Sequence, residues 1–312
     1  MQTFCTIVTT DFLPFAKVLF RSLKSTNKNC QLQVLVLDDV NEPGIEGLNI
    51  HSIYSLKNYS LFNDLEKKYA HTQTDKFRWS LKPIFISFLL ENNFDKVIYL
   101  DPDICFFNDC QFLFGELNDA SVLLTPHWRD KNPLKNEENF RATYKDGLYN
   151  GGFIGATKKG LPALKWWAEL CHYKMDRQNL LGIYDDQRYL DSMPVYFQDI
   201  KILKHKGCNI AVWNIHECKR EKINNEVLIN GQYPLIFIHF TNETIQNILN
   251  NNDPLLKPYL EKYLSEIKKE GIDLSTHFQQ QSKYKNSVYK AKHKLRIRTR
   301  LKRFLFLLAE KL

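Results

Sequence analysis

Asp101 and Asp103 stand one residue apart at the end of Val97-Ile98-Tyr99-Leu100, an apolar run rich in β-branched and aromatic residues. Such a run reads as a buried strand. Extended backbone sends residues i and i+2 to the same side. Pro102 between them removes a backbone donor and fixes φ, so the strand is expected to end there. Two like charges on one side repel unless something positive sits between them. Oxygen donors suit magnesium or manganese, so a divalent cation is the natural partner. In open α/β sheets ligands gather outside the carboxyl ends of strands, and this pair has that location. An Asp-x-Asp arises about once by chance in a chain of this length, so the rest of the chain must carry the remaining weight.

Other residue patterns invite chemistry less sharply. Thr9-Thr10-Asp11 follow a first strand at residues 4–8, where Asp11 or Thr10 can cap a helix and Pro14 fits its first turn. Tyr149-Asn150-Gly151-Gly152-Phe153-Ile154-Gly155 reads as a flexible turn leading into a strand. Its glycines permit positive φ or close backbone approach to a ligand. Asp185-Asp186-Gln187 opens a helix, where acidic residues need no function to explain them. His239 lies inside a strongly apolar strand at 235–240, a place where a lone histidine is ordinarily a satisfied core residue.

The elements that must position these residues alternate between strand and helix. After the first strand, Phe15, Val18, Leu19 and Leu23 give a helix one apolar face. Residues 31–37 form a second strand ending at Asp38-Asp39, and 48–53 a third. Helical patterns cover 61–69 and 77–90, the latter broken or kinked by Pro83. A short strand is expected at 122–125, a long polar loop with some helix at 128–149, and a helix at 161–173. Loops of that kind often close over substrate. Residues 208–214 read as a late strand, and 255–269 as a helix. This alternation predicts an α/β fold with a largely parallel sheet and helices on its faces. No Walker-type phosphate loop is present.

At 312 residues, with 44% hydrophobic and 13% aromatic content, the chain is a globular protein able to bury a large core. Its seven cysteines form no C-x-x-C pair, which favours buried thiols in a reducing compartment over disulfides or zinc. The sequence opens on a strand pattern rather than a signal peptide, and no apolar run approaches the roughly 18 residues of a membrane span. A cytoplasmic protein is expected. Charge is concentrated at one end. From Lys283 onward eleven basic residues face only Glu310, a surplus larger than the chain's net +8, so the first 282 residues are slightly acidic. Within that tail Leu301, Phe304, Leu305 and Leu308 fall on one helical face. A basic amphipathic helix reads as a membrane-surface or partner-binding element, and a nucleic-acid partner would leave the apolar face without a role. The expected division is 1–250 catalytic, 251–282 a helical extension and 283–312 a basic amphipathic tail.

Taken in order, these pieces resemble a family. Thr6-Ile7-Val8-Thr9-Thr10-Asp11, Ser80-Leu81-Lys82-Pro83, the aspartate strand, Tyr149-Asn150-Gly151-Gly152-Phe153, Asp185-Asp186-Gln187 and Phe237-Ile238-His239-Phe240 are similar to the motifs of GT-A-fold glycosyltransferases. The likeness is to the retaining family 8 type and to related bacterial polysaccharide and lipopolysaccharide enzymes. It covers residues 3–245, and the joint order is far more specific than any one motif. The resemblance implies a Rossmann-like, mostly parallel mixed sheet. It implies that Asp101, Asp103 and His239 bind a divalent metal, manganese in preference to magnesium because imidazole is in the set. It also implies that Thr9, Thr10 and Asp11 hold the uracil and ribose, that Lys82 approaches the donor, and that Asn150, Gly151, Asp186 and Gln187 line the donor sugar and the reacting carbon. The family's lysine-bearing segment after the histidine is replaced here by Thr241-Asn242-Glu243, which leaves Lys82 or Arg78 to contact phosphate.

The implied activity is transfer of a sugar from a nucleotide-sugar, a UDP-hexose, to a saccharide or lipid-linked acceptor in bacterial surface polysaccharide synthesis. Retention follows from analogy, and the tail fits attachment to the anionic inner face of the membrane. Asp186 or Gln187 would stabilise an oxocarbenium-like carbon, as carboxylates do in glycoside hydrolysis. Trp213 and Tyr149 can stack on sugar rings or simply pack. Two rivals remain. A haloacid-dehalogenase-type phosphohydrolase also carries Asp-x-Asp after an apolar strand, but needs Thr or Val where Cys105 stands and places the motif at the start of the fold. A non-catalytic nucleotide-sugar-binding protein would have no evident need for both aspartates together with His239.

Overall fold

A computed structural model describes residues 1–38, 44–178 and 182–272. The chain divides into two compact units, Met1–Tyr263 and Leu264–Leu312. The basic tail at 283–312 and Asp39 lie outside the described residues.

The first unit is built on a seven-stranded sheet. In chain order its strands are β1 (Gln2–Val8), β2 (Leu32–Val36), β3 (Leu48–Ser52), β4 (Lys96–Leu100), β6 (Val122–Pro126), β7 (Tyr149–Thr157) and β10 (Ile200–Ile202). Across the sheet the order is β10-β6-β7-β4-β1-β2-β3. All neighbours are parallel except β7, which runs antiparallel to both β4 and β6. Strands buried on both faces read as continuous apolar runs, and β1, β2, β4 and β6 do so.

Alternation along β4 divides the core. Val97 and Tyr99 point into one layer, with Phe85 and Leu89 of α4 (Lys82–Asn92) and Trp167 of α7 (Leu161–Tyr173). Ile98 and Leu100 point into the other, with Leu19 and Leu23 of α1 (Leu13–Thr26) and Leu113 of α5 (Phe112–Gly115). A two-stranded sheet packs within that second layer: β5 (Ile104–Phe106) pairs antiparallel with β14 (Phe237–His239). The peripheral elements are the β8–β9 hairpin (Arg177–Gln178, Ile183–Tyr184), the meander β11–β13 (Arg220–Ile223, Glu226–Ile229, Tyr233–Pro234), and the helices α8 (Met193–Tyr196), α9 (Asn242–Leu249) and α10 (Lys257–Lys269).

Several expectations hold closely. The break at Pro83 separates α3 (Thr74–Ser80) from α4, with Pro83 in the first turn of the second helix. Residues 61–69 are helical, as α2 (Ser60–Leu65) running into a π turn, Glu66–Ala70. The 128–149 segment carries one helix, α6 (Glu137–Asp146), started by the Asn136 side chain and ended at Gly147 with φ +108°. All seven cysteines are buried thiols.

Four expectations are corrected. Thr10–Phe12 form a 3-10 turn, and α1 begins only at Leu13, capped by neither Thr10 nor Asp11. On α1, Val18, Leu19 and Leu23 are buried as expected and Ala16 and Phe20 join them, while Phe15 is half-buried and stacks on Phe12. Residues 149–155 are no turn but the body of the nine-residue strand β7. Residues 208–214 are not a strand: Ile210 makes one bridge to Ile238, and Val212–Asn214 is a 3-10 turn whose Asn214 amide accepts from Ala211 N and donates to the Asn209 carbonyl.

Candidate functional site

The aspartates meet by a turn, not by strand alternation. Asp101 N still bonds Gly152 O at 2.8 Å, continuing the β4–β7 ladder by one residue. Ile104 N then reaches Asp101 O at 3.2 Å, so Pro102 and Asp103 lie in a tight turn. That turn carries the chain from the large sheet into β5. Asp101 stays on the Tyr99 side, where the Tyr99 hydroxyl donates to Oδ1 at 2.8 Å. Asp103 faces β14, whose His239 pairs with Ile104.

His239 completes the cluster. Its Nε2 stands 3.0 Å from Asp103 Oδ1 and 3.9 Å from Asp101 Oδ2. One ligand atom from each of Asp101, Asp103 and His239 lies within 4.8 Å of the others. The opposite ring nitrogen, Nδ1, faces Asn209 Oδ1 at 3.3 Å. Donating the Nδ1 proton there turns the Nε2 lone pair toward the carboxylates, the usual arrangement of a metal-bound imidazole. Two carboxylates open to solvent on one side and a buried imidazole fit a divalent cation. Burial pushes the His239 imidazole down, but Asp103 and Asp101 outweigh it and hold it above its ordinary value. Burial likewise raises Asp103, and the His239 charge overrides it and holds the carboxyl low. The cluster holds a positive charge in place, whether carried by a proton or by a metal.

Glycine is required behind it. A Cβ on Gly152 would come within 2.6 Å of His239 Cε1 and 2.7 Å of both Asn150 Oδ1 and Asp101 Oδ2. A Cβ on Gly151 would stand 3.2 Å from Asp186 Oδ2. Neither glycine has positive φ, so close approach and not conformational freedom explains the pair.

Lys82, Asn150, Gly151, Asp186 and Gln187 gather on the α4 side. Lys82 opens α4 with its side chain buried, 3.1 Å from Asp186 Oδ2 and 3.6 Å from Asp101 Oδ1, and donates to Gly151 O at 2.8 Å. Burial alone would lower Lys82, and the two carboxylates reverse that and keep it charged. Asp186 is raised by burial despite Lys82. Its backbone is fixed by Trp167 Nε1, which donates to Asp186 O at 2.8 Å, while the preceding Asp185 takes φ +46°. Gln187 Oε1 accepts from Gly151 N at 2.9 Å, and its amide donates to Asp146 O at 2.7 Å, tying the end of α6 to β7. Asn150 Oδ1 accepts from Gly152 N at 2.9 Å.

Sequence reasoning missed four neighbours. Tyr99 was legible from its i−2 spacing to Asp101. Asn209 had no local signal. Neither had His127, whose Nδ1 donates to Gly147 O at 3.0 Å and whose Nε2 faces the Asn150 amide at 3.3 Å. The sequence marks Trp167 only as part of a helix. Trp213 stands edge-on to both His239 and His127, at 5.4 Å from each.

Thr9, Thr10 and Asp11 sit apart from this network, at the end of β1 beside the end of β4. Asp11 accepts from the Thr9 hydroxyl, and Thr10 N donates to Asp38 Oδ1 at 2.7 Å. Arg78 lies over the Phe12 ring at 5.6 Å. Tyr149 is buried at the start of β7.

No protein-family model matches the chain. The uncharacterized protein YfnF of Bacillus subtilis (strain 168) is 28% identical over 252 residues, covering 79% of this chain and 83% of its own. The uncharacterized protein YfnD of the same organism is 33% identical over 192 residues, 58% of either chain. Among solved structures, the galactosyltransferase LgtC in complex with donor and acceptor sugar analogues aligns over 86% of this chain and 96% of its own, with a TM-score of 0.53 at 12% identity. That likeness, together with the mostly parallel sheet in which antiparallel β7 flanks the aspartate-bearing β4, gives this protein the GT-A glycosyltransferase fold.

Proposed function

We propose that the protein is a metal-dependent glycosyltransferase that moves a hexose from a nucleotide-sugar, UDP-hexose first among them, to a saccharide or lipid-linked acceptor in bacterial surface polysaccharide synthesis. The observation that carries this reading is the convergence of Asp101, Asp103 and His239 beside the buried Lys82–Asp186 pair. Asp101, Asp103 and His239 would hold the cation, and the residues' oxygen and nitrogen donors favour manganese over magnesium. When bound, such a cation supplies positive charge to a departing diphosphate.

The chain's own groups do the rest. Transfer breaks the bond between the anomeric carbon and the phosphate oxygen, forms one to an acceptor hydroxyl oxygen and releases that hydroxyl's proton. Lys82 keeps Asp186 and Asp101 in fixed positions through a buried charge pair. Asp186 or Gln187 faces the electron-deficient anomeric carbon, and Asn150 and Gly151 contact the donor sugar. Charge develops there only in the transition state, so these residues act on turnover more than on affinity. Thr9, Thr10 and Asp11 hold the nucleoside. The retaining outcome rests on the family 8 likeness.

A screen of nucleotide-sugars for hydrolysis, with manganese, magnesium or chelator, tests the reading. Metal-dependent hydrolysis of at least one is expected, and Asp103→Asn lowers it by about 10³-fold, as loss of a charge-stabilising group at a reacting centre does, with circular dichroism unchanged. Hydrolysis indifferent to chelator, or an Asp103→Asn variant with wild-type rate, rejects the metal site. We further propose that residues 283–312 attach the protein to an anionic membrane face. Each Lys or Arg near such a surface contributes about 1 kcal/mol. A chain ending at Gln281 is expected to hydrolyse the donor yet no longer sediment with phosphatidylserine vesicles at low salt, and equal sedimentation of both forms refutes the attachment. Among the described residues no helix is long and apolar enough to cross a membrane.

A further inference from the structure

A cleft of 920 Å³ opens between α6 and the turn that carries Trp213. That volume is at the upper end for small-molecule sites. The cleft adjoins the cation cluster through Trp213, which touches His239 edge-on and whose carbonyl accepts from Asn139 of α6 at 3.0 Å. The far wall is joined to the reacting-carbon residues as well, because Gln187 holds the Asp146 carbonyl at the end of α6.

The lining selects a chemistry. Glu137, Glu138 and Glu243 share it with Arg141 and Lys145, and Arg129 is paired with Asp146 at 2.6 Å. Neither sign dominates, so a polyanion is not favoured, and the density of charge excludes an acyl chain. Interleaved carboxylates and guanidinium groups suit hydroxyls, each of which both donates and accepts. Tyr144, which is 64% exposed, and Trp213 add two aromatic surfaces on which the C–H faces of sugar rings pack. Three polar atoms in these walls, Arg129 Nε, Asp146 Oδ1 and Trp213 Nε1, are buried without a hydrogen-bond partner among the described residues. Lys145 stands 3.6 Å from Asp146 Oδ1, too far to bond it. All three are closed off from solvent, so they mark the polarity of the walls and not a contact with the ligand.

We propose that this cleft seats the acceptor, and that the acceptor presents an uncharged oligosaccharide, with α6 as the wall that selects it. The proposal rests on the glycosyltransferase reading and narrows it. Sugar units beyond the acceptor hydroxyl lie along α6, over Tyr144 and between Arg141 and Glu138.

The test uses the full chain with UDP and manganese, titrated with maltotriose, cellotriose, chitotriose and, as the anionic counterpart, trigalacturonate, with binding read by ligand-observed NMR. At least one neutral trisaccharide is expected to bind. Tyr144→Ala and Arg141→Ala, both at exposed positions, each weaken that binding at least ten-fold. Binding of none of the neutral sugars, preference for trigalacturonate, or affinities unmoved by both substitutions overturns the proposal. Nucleotide-sugar hydrolysis by the wild-type chain is scored separately. Hydrolysis without neutral-glycan binding overturns the acceptor cleft alone. Glycan binding with no hydrolysis of any nucleotide-sugar removes the transferase reading and, with it, the cleft's role as acceptor site.

Discussion

Val8 and Leu100 end neighbouring parallel strands at the same edge of the sheet, yet the residues beyond the two strand ends are held in different ways. After β1 come Thr9, Thr10 and Asp11, lying at the surface and bonded to one another and to Asp38. After β4 come Asp101 and Asp103, tied to α4 through Lys82, to β7 through Gly152, to β14 through His239 and to their own strand through Tyr99. A network of buried charges is interdependent, because removing one member leaves the others desolvated and unpaired. A solvated lip is not, since water replaces whatever a mutation removes. The first end is built for exchangeable contact and the second for fixed charge, and substitutions should separate them sharply.

The largest separation is expected at Lys82. Lys82→Met leaves the buried Asp186 carboxylate without its ion-pair partner and removes the ammonium beside Asp101. Breaking a buried pair on one side costs about 3–5 kcal/mol, so urea unfolding should show a loss of that size. Adding Asp186→Asn to the same chain should recover part of it. If Lys82→Met is no less stable than wild type, the β4 end is not held by charge and the contrast with the β1 end collapses.

A second test uses pH. Burial pushes His127 down to about 3, with Arg129 adding to the effect and the Gly147 carbonyl opposing it. The folded protein therefore keeps His127 neutral, with Nδ1–H on Gly147 O and Nε2 turned to the Asn150 amide. Between the ordinary histidine value near 6.5 and about 3, the unfolded chain takes up a proton that the folded chain refuses. Stability must fall as pH drops through that window, by about 1.4 kcal/mol per pH unit from this group. His127→Gln removes the titration. The difference between variant and wild-type unfolding free energies should thus change with pH at that slope from 6.5 downward and be flat above 7. A flat difference throughout would mean that His127 titrates normally and does not hold Asn150 through a neutral ring.

These contrasts also explain what could be read in advance. The β4 run, the break at Pro83 and the helix at residues 161–173 follow from local rules of apolar period and proline geometry. Type and position point to Asp101 and Asp103, the family resemblance adds His239, and the structure brings all three together. The resemblance also points to Asn150, Asp186, Gln187 and Lys82, and they lie on the α4 side of the same site. What escaped was set by distant packing. The glycines of β7 read in sequence as a turn, because glycine usually breaks a strand. In fact a Cβ on Gly155 would stand 3.1–3.3 Å from Leu123 and Leu117, and Gly152 backs the cluster, so each is small for want of space. Residues 208–214 have a strand's composition, but the Asn214 side chain bonds the backbone locally and Asn209 takes φ +57°, which bends the chain away from the sheet. His127 and Asn209 are separated from their partners by tens of residues and carried no local sign.

The smallest effect is expected at the β1 end, and it is the sharpest on function. Asp11 is exposed and bonds only its neighbour Thr9 among the hydrogen bonds described. Asp11→Asn keeps the shape and an acceptor atom while removing the charge. Surface changes of this kind stay within about 0.5 kcal/mol of wild-type stability. If the lip holds the nucleoside, the loss is one or two hydrogen bonds to ribose or base, each worth about 0.5–1.5 kcal/mol, so the UDP dissociation constant should rise roughly 3- to 10-fold. Turnover at saturating donor should not move, since these contacts are the same in ground and transition states. Calorimetric titration with UDP beside steady-state kinetics reads both quantities on one sample. An unchanged dissociation constant would remove Asp11 from the nucleoside site, and a collapse of turnover at saturation would put chemistry at the strand end assigned here to binding alone.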